Sequence, residues 1–256
     1  SRRCRRDHRL GDQGADQRDP MIVALMQPYF FPYIGYFSLM AAADVFLAYD
    51  NVQYTRPGWI NRNRILRDGM PDWWTAVVTD APHTADINQR HYRDWPTQRR
   101  RMLDLLAQRY RRAPHREAGL ALVEQALAAD EDNVARCNTR LLAVLADALD
   151  LGCRIEFASD VPHDPALRGV DRVLAICAAM GATTYVNSPG GMALYRPADF
   201  DACGIALRFV QPEPEPYAQF GESFVPWLSI VDALMFLPLP EVARRVRQFR
   251  LVEAAP

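Results

Sequence analysis

Two carboxylates in this chain stand where a base could take a proton from a substrate. Asp50 closes the apolar run Val45-Phe46-Leu47-Ala48-Tyr49, and Asp160 follows the run from Arg154 to Ala158. Both runs read as strands, and ligands of open α/β sheets bind at the loops that follow strands. A carboxylate placed as a general base contributes on the order of 10²–10⁴-fold. Behind Asp50 comes Asn51-Val52-Gln53-Tyr54-Thr55-Arg56-Pro57-Gly58-Trp59-Ile60-Asn61-Arg62-Asn63-Arg64. Gln53, Asn61 and Asn63 offer donors and acceptors, and Arg56, Arg62 and Arg64 offer forks for phosphate or carboxylate. If extended, Asn-Arg-Asn-Arg turns its asparagines to one face and its arginines to the other. A solvated polar loop is the competing reading. The anchor Trp59-Ile60 and the density of amide and guanidinium groups favour binding.

Two other loops share the position after a strand. Ile22-Val23-Ala24-Leu25 leads into Met26-Gln27-Pro28-Tyr29-Phe30-Phe31-Pro32-Tyr33-Ile34-Gly35-Tyr36-Phe37. Prolines fix φ and glycine frees it, so this backbone is shaped in detail. Its polar groups are the Gln27 amide and the phenols of Tyr29, Tyr33 and Tyr36, which bind rather than attack. Further on, Tyr185-Val186-Asn187-Ser188-Pro189-Gly190-Gly191 leaves a strand and enters a helix. Gly190 and Gly191 allow close backbone approach to a ligand. Ser188 lacks the G-x-S-x-G setting of a nucleophile elbow, so capping or binding is its expected role. Asp232, on an amphipathic segment, reads equally as a cap or a structural pair.

Other chemistries are excluded by residue type. All 30 basic residues are Arg and none is Lys. A Schiff-base Lys and a P-loop Lys are therefore absent, and an anionic group must be held by Arg, backbone amides or helix N-termini. Cys4, Cys137, Cys153, Cys177 and Cys203 form no CxxC pair, which argues against zinc and for reduced thiols in a cytoplasm. His83, His91, His115 and His163 show no ligand spacing, so no metal is expected; His163 is close enough to Asp160 to share a site. No cofactor follows from the residues. The net charge of −1 gives no case for nucleic acid, and no apolar run reaches the 18 residues or so of a membrane span.

The elements that must position these groups alternate at both ends of the chain. Strands are expected at 22–25, 44–49, 73–79, 154–158, 183–187 and 205–210, with helices at 38–43, 170–180, 227–236 and 241–249. A helical insertion is expected at about 94–150, broken at Pro114 and restarted by Asp132 or Asn133 as N-cap. This predicts an α/β fold with a mostly parallel sheet flanked by helices, spanning 21–250. Residues 1–20 hold six Arg, four Asp and almost no apolar side chains. They read as a disordered extension, with Met21 as the natural start.

Strand, Pro-containing loop and Gly at a helix start resemble the nucleotide-binding loop of HUP-type nucleotidyl transferases. Those enzymes carry His-x-Gly-His there, where this chain has Tyr33-Ile34-Gly35-Tyr36, so the likeness speaks for a HUP-like N-terminal fold more than for activity. The aromatic loop, Tyr49-Asp50-Asn51-Val52-Gln53-Tyr54, Trp59-Ile60-Asn61-Arg62-Asn63-Arg64-Ile65, Ala158-Ser159-Asp160, Thr184 to Gly191 and Leu228-Ser229-Ile230-Val231-Asp232 together resemble the WbqC-like protein family, in the family's order. Met26 stands where many members have His. The resemblance implies a cytoplasmic bacterial protein of O-antigen, other polysaccharide or specialised-metabolite biosynthesis. It implies a transferase using a sugar-linked or acyl donor, with acyl or aminoacyl transfer to an amino sugar as the inferred role. Asp50 or Asp160 is then the expected base and Arg56 and Arg62 the expected anion holders. Two alternatives stay open: a nucleotidyl transferase-like enzyme with a degenerate signature, and a non-catalytic sugar-binding accessory protein.

Overall fold

The computed structural model of the chain describes residues 20–253. The expected disordered extension, apart from Pro20, lies outside them. Six strands form one sheet in the order β5 (Arg154–Phe157), β2 (Val45–Ala48), β1 (Ile22–Met26), β6 (Thr184–Asn187), β7 (Ala206–Pro212) and β8 (Phe249–Val252). The first five run parallel and β8 pairs antiparallel with β7. The expected α/β class and mostly parallel sheet are what the structure has. Strands buried on both faces read as continuous apolar runs, and Val23, Ala24 and Leu25 are all buried.

Side chains alternate between two layers. Ala24, Phe46, Ala48, Val186 and Val210 face one core. It is shared with α1 (Ile34–Ala41), α4 (Val134–Ala148), α7 (Ile230–Phe236) and α8 (Leu239–Val246). Val23, Leu25, Val45, Leu47, Tyr185, Leu207 and Phe209 face the other. That layer holds α5 (Gly169–Ala179) and the short α6 (Pro197–Asp201). The chain moves outward from β1 through β2 to β5, then returns to the far side of β1 as β6. Strand order therefore reverses between β1 and β6, the position where open sheets bind ligands.

Residues 95–148 form α2 (Trp95–Arg109), α3 (Arg116–Leu127) and α4, with Pro114 between the first two. Asn133 caps α4, its Oδ1 accepting from Arg136 N at 3.1 Å. α3 packs on α2, α4 and α7. Among the described residues no helix is long and apolar enough to cross a membrane.

Apart from the starts of helices, three stretches differ from the sequence reading. The strand expected at 73–79 is β4 (Met70–Thr75), outside the main sheet, paired antiparallel with β3 (Arg62–Arg67). The polar composition of 50–68 hides β3, because its inward side is Asn63 and Ile65 rather than a plain apolar row. The helix expected to reach Phe249 ends at Val246, and Phe249 opens β8 opposite Pro212. A four-residue strand becomes visible only against the edge it pairs with.

Candidate functional site at the strand ends

The loop after β1 is fixed through its carbonyls. Gln27 O accepts from the Tyr36 hydroxyl at 2.6 Å, Pro28 O from Asn138 Nδ2 at 2.9 Å and Phe30 O from Asn63 Nδ2 at 3.1 Å. Phe31 O accepts from Ser229 Oγ at 2.7 Å, and Pro32 O from Ile230 N at 2.8 Å. Phe31 has φ of 40°, a left-handed conformation that costs a non-glycine residue about 1–2 kcal/mol. Its ring and that of Phe30 are both buried against Trp74, each at 5.1 Å between centroids. Asn138 on α4 is fully buried. It also donates to Ile60 O at 2.6 Å and accepts from the Tyr92 hydroxyl at 2.7 Å. One amide thus ties α4 to the aromatic loop and to the approach to β3.

Parallel pairing of β2, β1 and β6 places Asp50, Gln27 and Ser188 after their strands at one edge of the sheet. The Gln27 amide is half-buried and carries no hydrogen bond among the described residues. Asp50 is 3 % exposed. Its carboxylate accepts from Ser159 N at 3.0 Å, Ser159 Oγ at 2.8 Å and Asn88 Nδ2 at 3.0 Å. This carboxylate clamps the end of β2 onto the 3-10 turn Ala158–Asp160 that follows β5. Asp160, carried by that turn, is exposed and has no bonded partner among the described residues.

At the end of β6 the buried Asn187 holds the next loop. Its Oδ1 accepts from Ser188 N at 2.7 Å and its Nδ2 donates to the Tyr185 hydroxyl at 3.0 Å. A Cβ on Gly191 would lie 3.0 Å from the Asn187 amide, so any larger residue there must push that amide aside by a few tenths of an ångström. Gly190 is exposed. Ser188 makes no side-chain cap, and its backbone O accepts from Gly191 N at 2.9 Å.

The remaining sequence candidates, Arg56 apart, are spent elsewhere. Asn61 Nδ2 donates to Ala76 O at 2.7 Å, and Asn63, 3 % exposed, holds the aromatic loop. The expected alternation is present: the arginines lie on the opposite side, against tryptophans. Arg62 lies 4.0 Å from the Trp73 ring centroid and Arg64 lies 5.6 Å from that of Trp59. Arg62 Nε donates to Gly58 O at 3.1 Å. Gln53, exposed, donates to His83 O at 3.0 Å. Arg56, also exposed, lies 5.5 Å from the Tyr54 ring centroid.

A shallow open cleft adjoins the start of α1, lined by Tyr33, Tyr217, Phe224, Trp227, Arg245 and Gln248. Tyr33 meets Trp227 edge-on at 5.6 Å. Beneath it Asp232, fully buried, accepts from Tyr110, Tyr217 and Gln219 at 2.8, 2.8 and 2.6 Å. Burial pushes its carboxyl up to about 6 against the pull of those donors. Burial likewise raises the thiols of Cys137 and Cys177 to about 12 and of Cys153 to about 11, so none is a thiolate nucleophile at neutral pH. Sequence reasoning missed Asn138, whose signal was an amide on the apolar stripe of Val134, Leu141, Leu142 and Leu145.

The fold and this edge define a doubly wound parallel α/β protein with polar groups collected at its strand ends. Residues 27–243 match the model of the WbqC-like protein family, and the chain belongs to that family. It is 28 % identical over 240 residues to an uncharacterized protein of Mycobacterium tuberculosis, covering 88 % of this chain and 99 % of that one. No solved structure matches the chain significantly.

Proposed function

We propose that this protein is a cytoplasmic bacterial transferase of O-antigen, other polysaccharide or specialised-metabolite biosynthesis, moving an acyl or aminoacyl group onto the amine of an amino sugar. The observation that carries this reading is the row of groups at one sheet edge: Gln27, the Asp50 clamp, Asp160, and Ser188 to Gly191. Asp50 has its lone pairs engaged by three donors, which suits a positioning residue. Asp160 is open to solvent and suits the base. The amine attacks the activated carbonyl of the donor, a C–N bond forms, the bond to the leaving group breaks, and the amine proton passes to the Asp160 carboxylate. Gln27 and the exposed backbone at Gly190, in a turn closed by the Gly191 N–H, hold the substrates. The Tyr33–Trp227 cleft offers aromatic faces to a sugar ring, and Arg56, exposed beside Tyr54, remains open to an anionic donor group.

A second reading is a nucleotidyl transferase. The strand-order reversal between β1 and β6, where a Pro- and Gly-containing loop enters α1, favours it.

The test is turnover of a candidate amino sugar with an activated donor by the wild type, Asp160→Asn and Asp50→Asn. Asp160→Asn is expected to lower kcat by about 10²–10⁴-fold with an unchanged melting temperature. Asp50→Asn is expected to lower the melting temperature first, because it disturbs three hydrogen bonds of a buried carboxylate. Full turnover by a folded Asp160→Asn variant removes the base assigned here. Binding of the sugar without turnover in the wild type favours the accessory-protein reading.

A further inference from the structure

We propose that Arg172 anchors a site for the phosphoryl group of a small-molecule substrate, at the edge where β2 and α5 meet. Arg172 lies in the first turn of α5 and is only 9 % exposed. Its Nε donates to His163 Nε2 at 3.1 Å and its Nη1 to Asn51 O at 3.1 Å. The guanidinium carbon lies 5.3 Å from the Tyr49 ring centroid. His163 Nδ1 stands 2.7 Å from Val161 O, which only accepts. The proton is therefore on Nδ1, and a neutral imidazole turns its Nε2 lone pair to Arg172.

Every group on this guanidinium is thus uncharged, and among the described residues no carboxylate pairs with it. Asp50, next to Asn51 in the chain, gives its oxygens to Ser159 and Asn88. Asp171, in the same helical turn, is exposed. A guanidinium stays charged at every working pH, and a charge taken out of water is costly unless an opposite charge joins it. More positive potential converges on the same spot. Arg168, exposed, gives its Nη1 to the carbonyls of Pro165 and Leu167, its charge favours the ionised Tyr49 phenol, and it is the N-cap of α5, whose first-turn N–H groups receive no side-chain cap from it. Two guanidiniums, a helix start and a phenol suit a tetrahedral dianion better than a single carboxylate.

As the anchor of a phosphorylated donor this site rests on the transferase reading for its part in turnover, whereas its binding of the anion does not. The experiment is calorimetric titration of the full chain with inorganic pyrophosphate, UDP and malonate. Pyrophosphate or UDP is expected to bind saturably and malonate at least about tenfold more weakly. Arg172→Gln is expected to lose at least about tenfold in affinity and Arg168→Gln about two- to fivefold, in keeping with charge-assisted hydrogen bonds. Absence of saturable phosphoryl binding, equal binding of malonate, or full affinity in a folded Arg172→Gln variant overturns the proposal. If Arg172→Gln does not fold, the exposed Arg168→Gln decides, and an unchanged affinity in it overturns the proposal. Arg172-dependent pyrophosphate binding in a chain that transfers no acyl group keeps this site and sinks the transferase.

Discussion

At the scale of single residues, the polar groups of this protein divide into those that hold backbone and those left open. Asn63, Asn138 and Ser229 spend their side chains on carbonyls of the loop after β1, because buried carbonyls without a donor cost about 1–3 kcal/mol each. Asp232 holds three donors of its own, and it carries a testable pH signature. Its folded pKa, about 6, lies above the ordinary value of 3.8 because burial outweighs its hydrogen bonds. The neutral acid is the form the fold prefers. Its contribution is fully present below about pH 4 and is lost as pH rises through about 6. At roughly 1.4 kcal/mol per unit this amounts to about 3 kcal/mol. Urea unfolding of wild type and Asp232→Asn across pH 4 to 7 is expected to show the variant gaining up to about that much relative to wild type. Parallel stability curves would mean that the carboxyl does not titrate in this range. The sequence marked Asp232 only as a cap or pair, since its partners come from positions 110, 217 and 219, far apart or across an irregular segment.

At the scale of elements, strands with continuous apolar runs were legible and those that borrow their burial from elsewhere were not. β1, β2, β5, β6 and β7 stand within a few residues of where hydrophobic runs put them. β3 escaped, although its hairpin turn carries a readable signal: Asp68-Gly69 with φ of 51° and 77°, the Asp-Gly pair of a two-residue turn. Helix α1 starts at Ile34, four residues before the expected Ser38, because the glycine in its first turn looked like loop. That glycine has a packing reason. A Cβ at Gly35 would stand 2.4 Å from the Tyr33 ring and 2.7 Å from Pro212. Helix propensity alone favours Gly35→Ala by about 1 kcal/mol, whereas the overlap must push Tyr33 off Trp227 and strain the contact with β7. Overpacking of this kind costs about 1–3 kcal/mol. The expected net outcome in urea unfolding is destabilisation; a gain of about 1 kcal/mol would show that Tyr33 yields freely.

At the scale of the whole molecule, the strand ends of β1, β2 and β6 form one edge because the connections leave and return on opposite sides of β1. The sequence signalled which residues follow strands, so Gln27, Asp50, Asp160 and Ser188 were legible as neighbours at an edge. It could not signal that Asn61 and Asn63 face inward, which depends on the hairpin folding back over Phe30, whose ring meets Trp74 of that hairpin. The two ends of the same sheet, β5 at one and β7 under its cover β8 at the other, are protected differently. β5 carries Arg154 and Glu156, 3.7 Å apart and largely exposed, and charges on an edge discourage pairing with another chain. β7 carries Leu207, Phe209 and Val210, all buried, and has only β8 to cover it. Ion pairs between Arg250 and Glu213, and between Arg208 and Glu253 at 3.0 Å, tie that cover down. They are exposed enough to contribute little energy singly; the backbone ladder and the seat of Phe249 do more. A chain ending after Gln248 is therefore expected to leave the β7 edge open and to self-associate through it. Size-exclusion chromatography over a concentration series is the check, with the truncated chain moving to larger species that Gln211→Pro suppresses by removing a ladder donor on the side that β8 covers. A truncated chain that elutes like the full one at every concentration would show that β8 is not what keeps this edge from pairing.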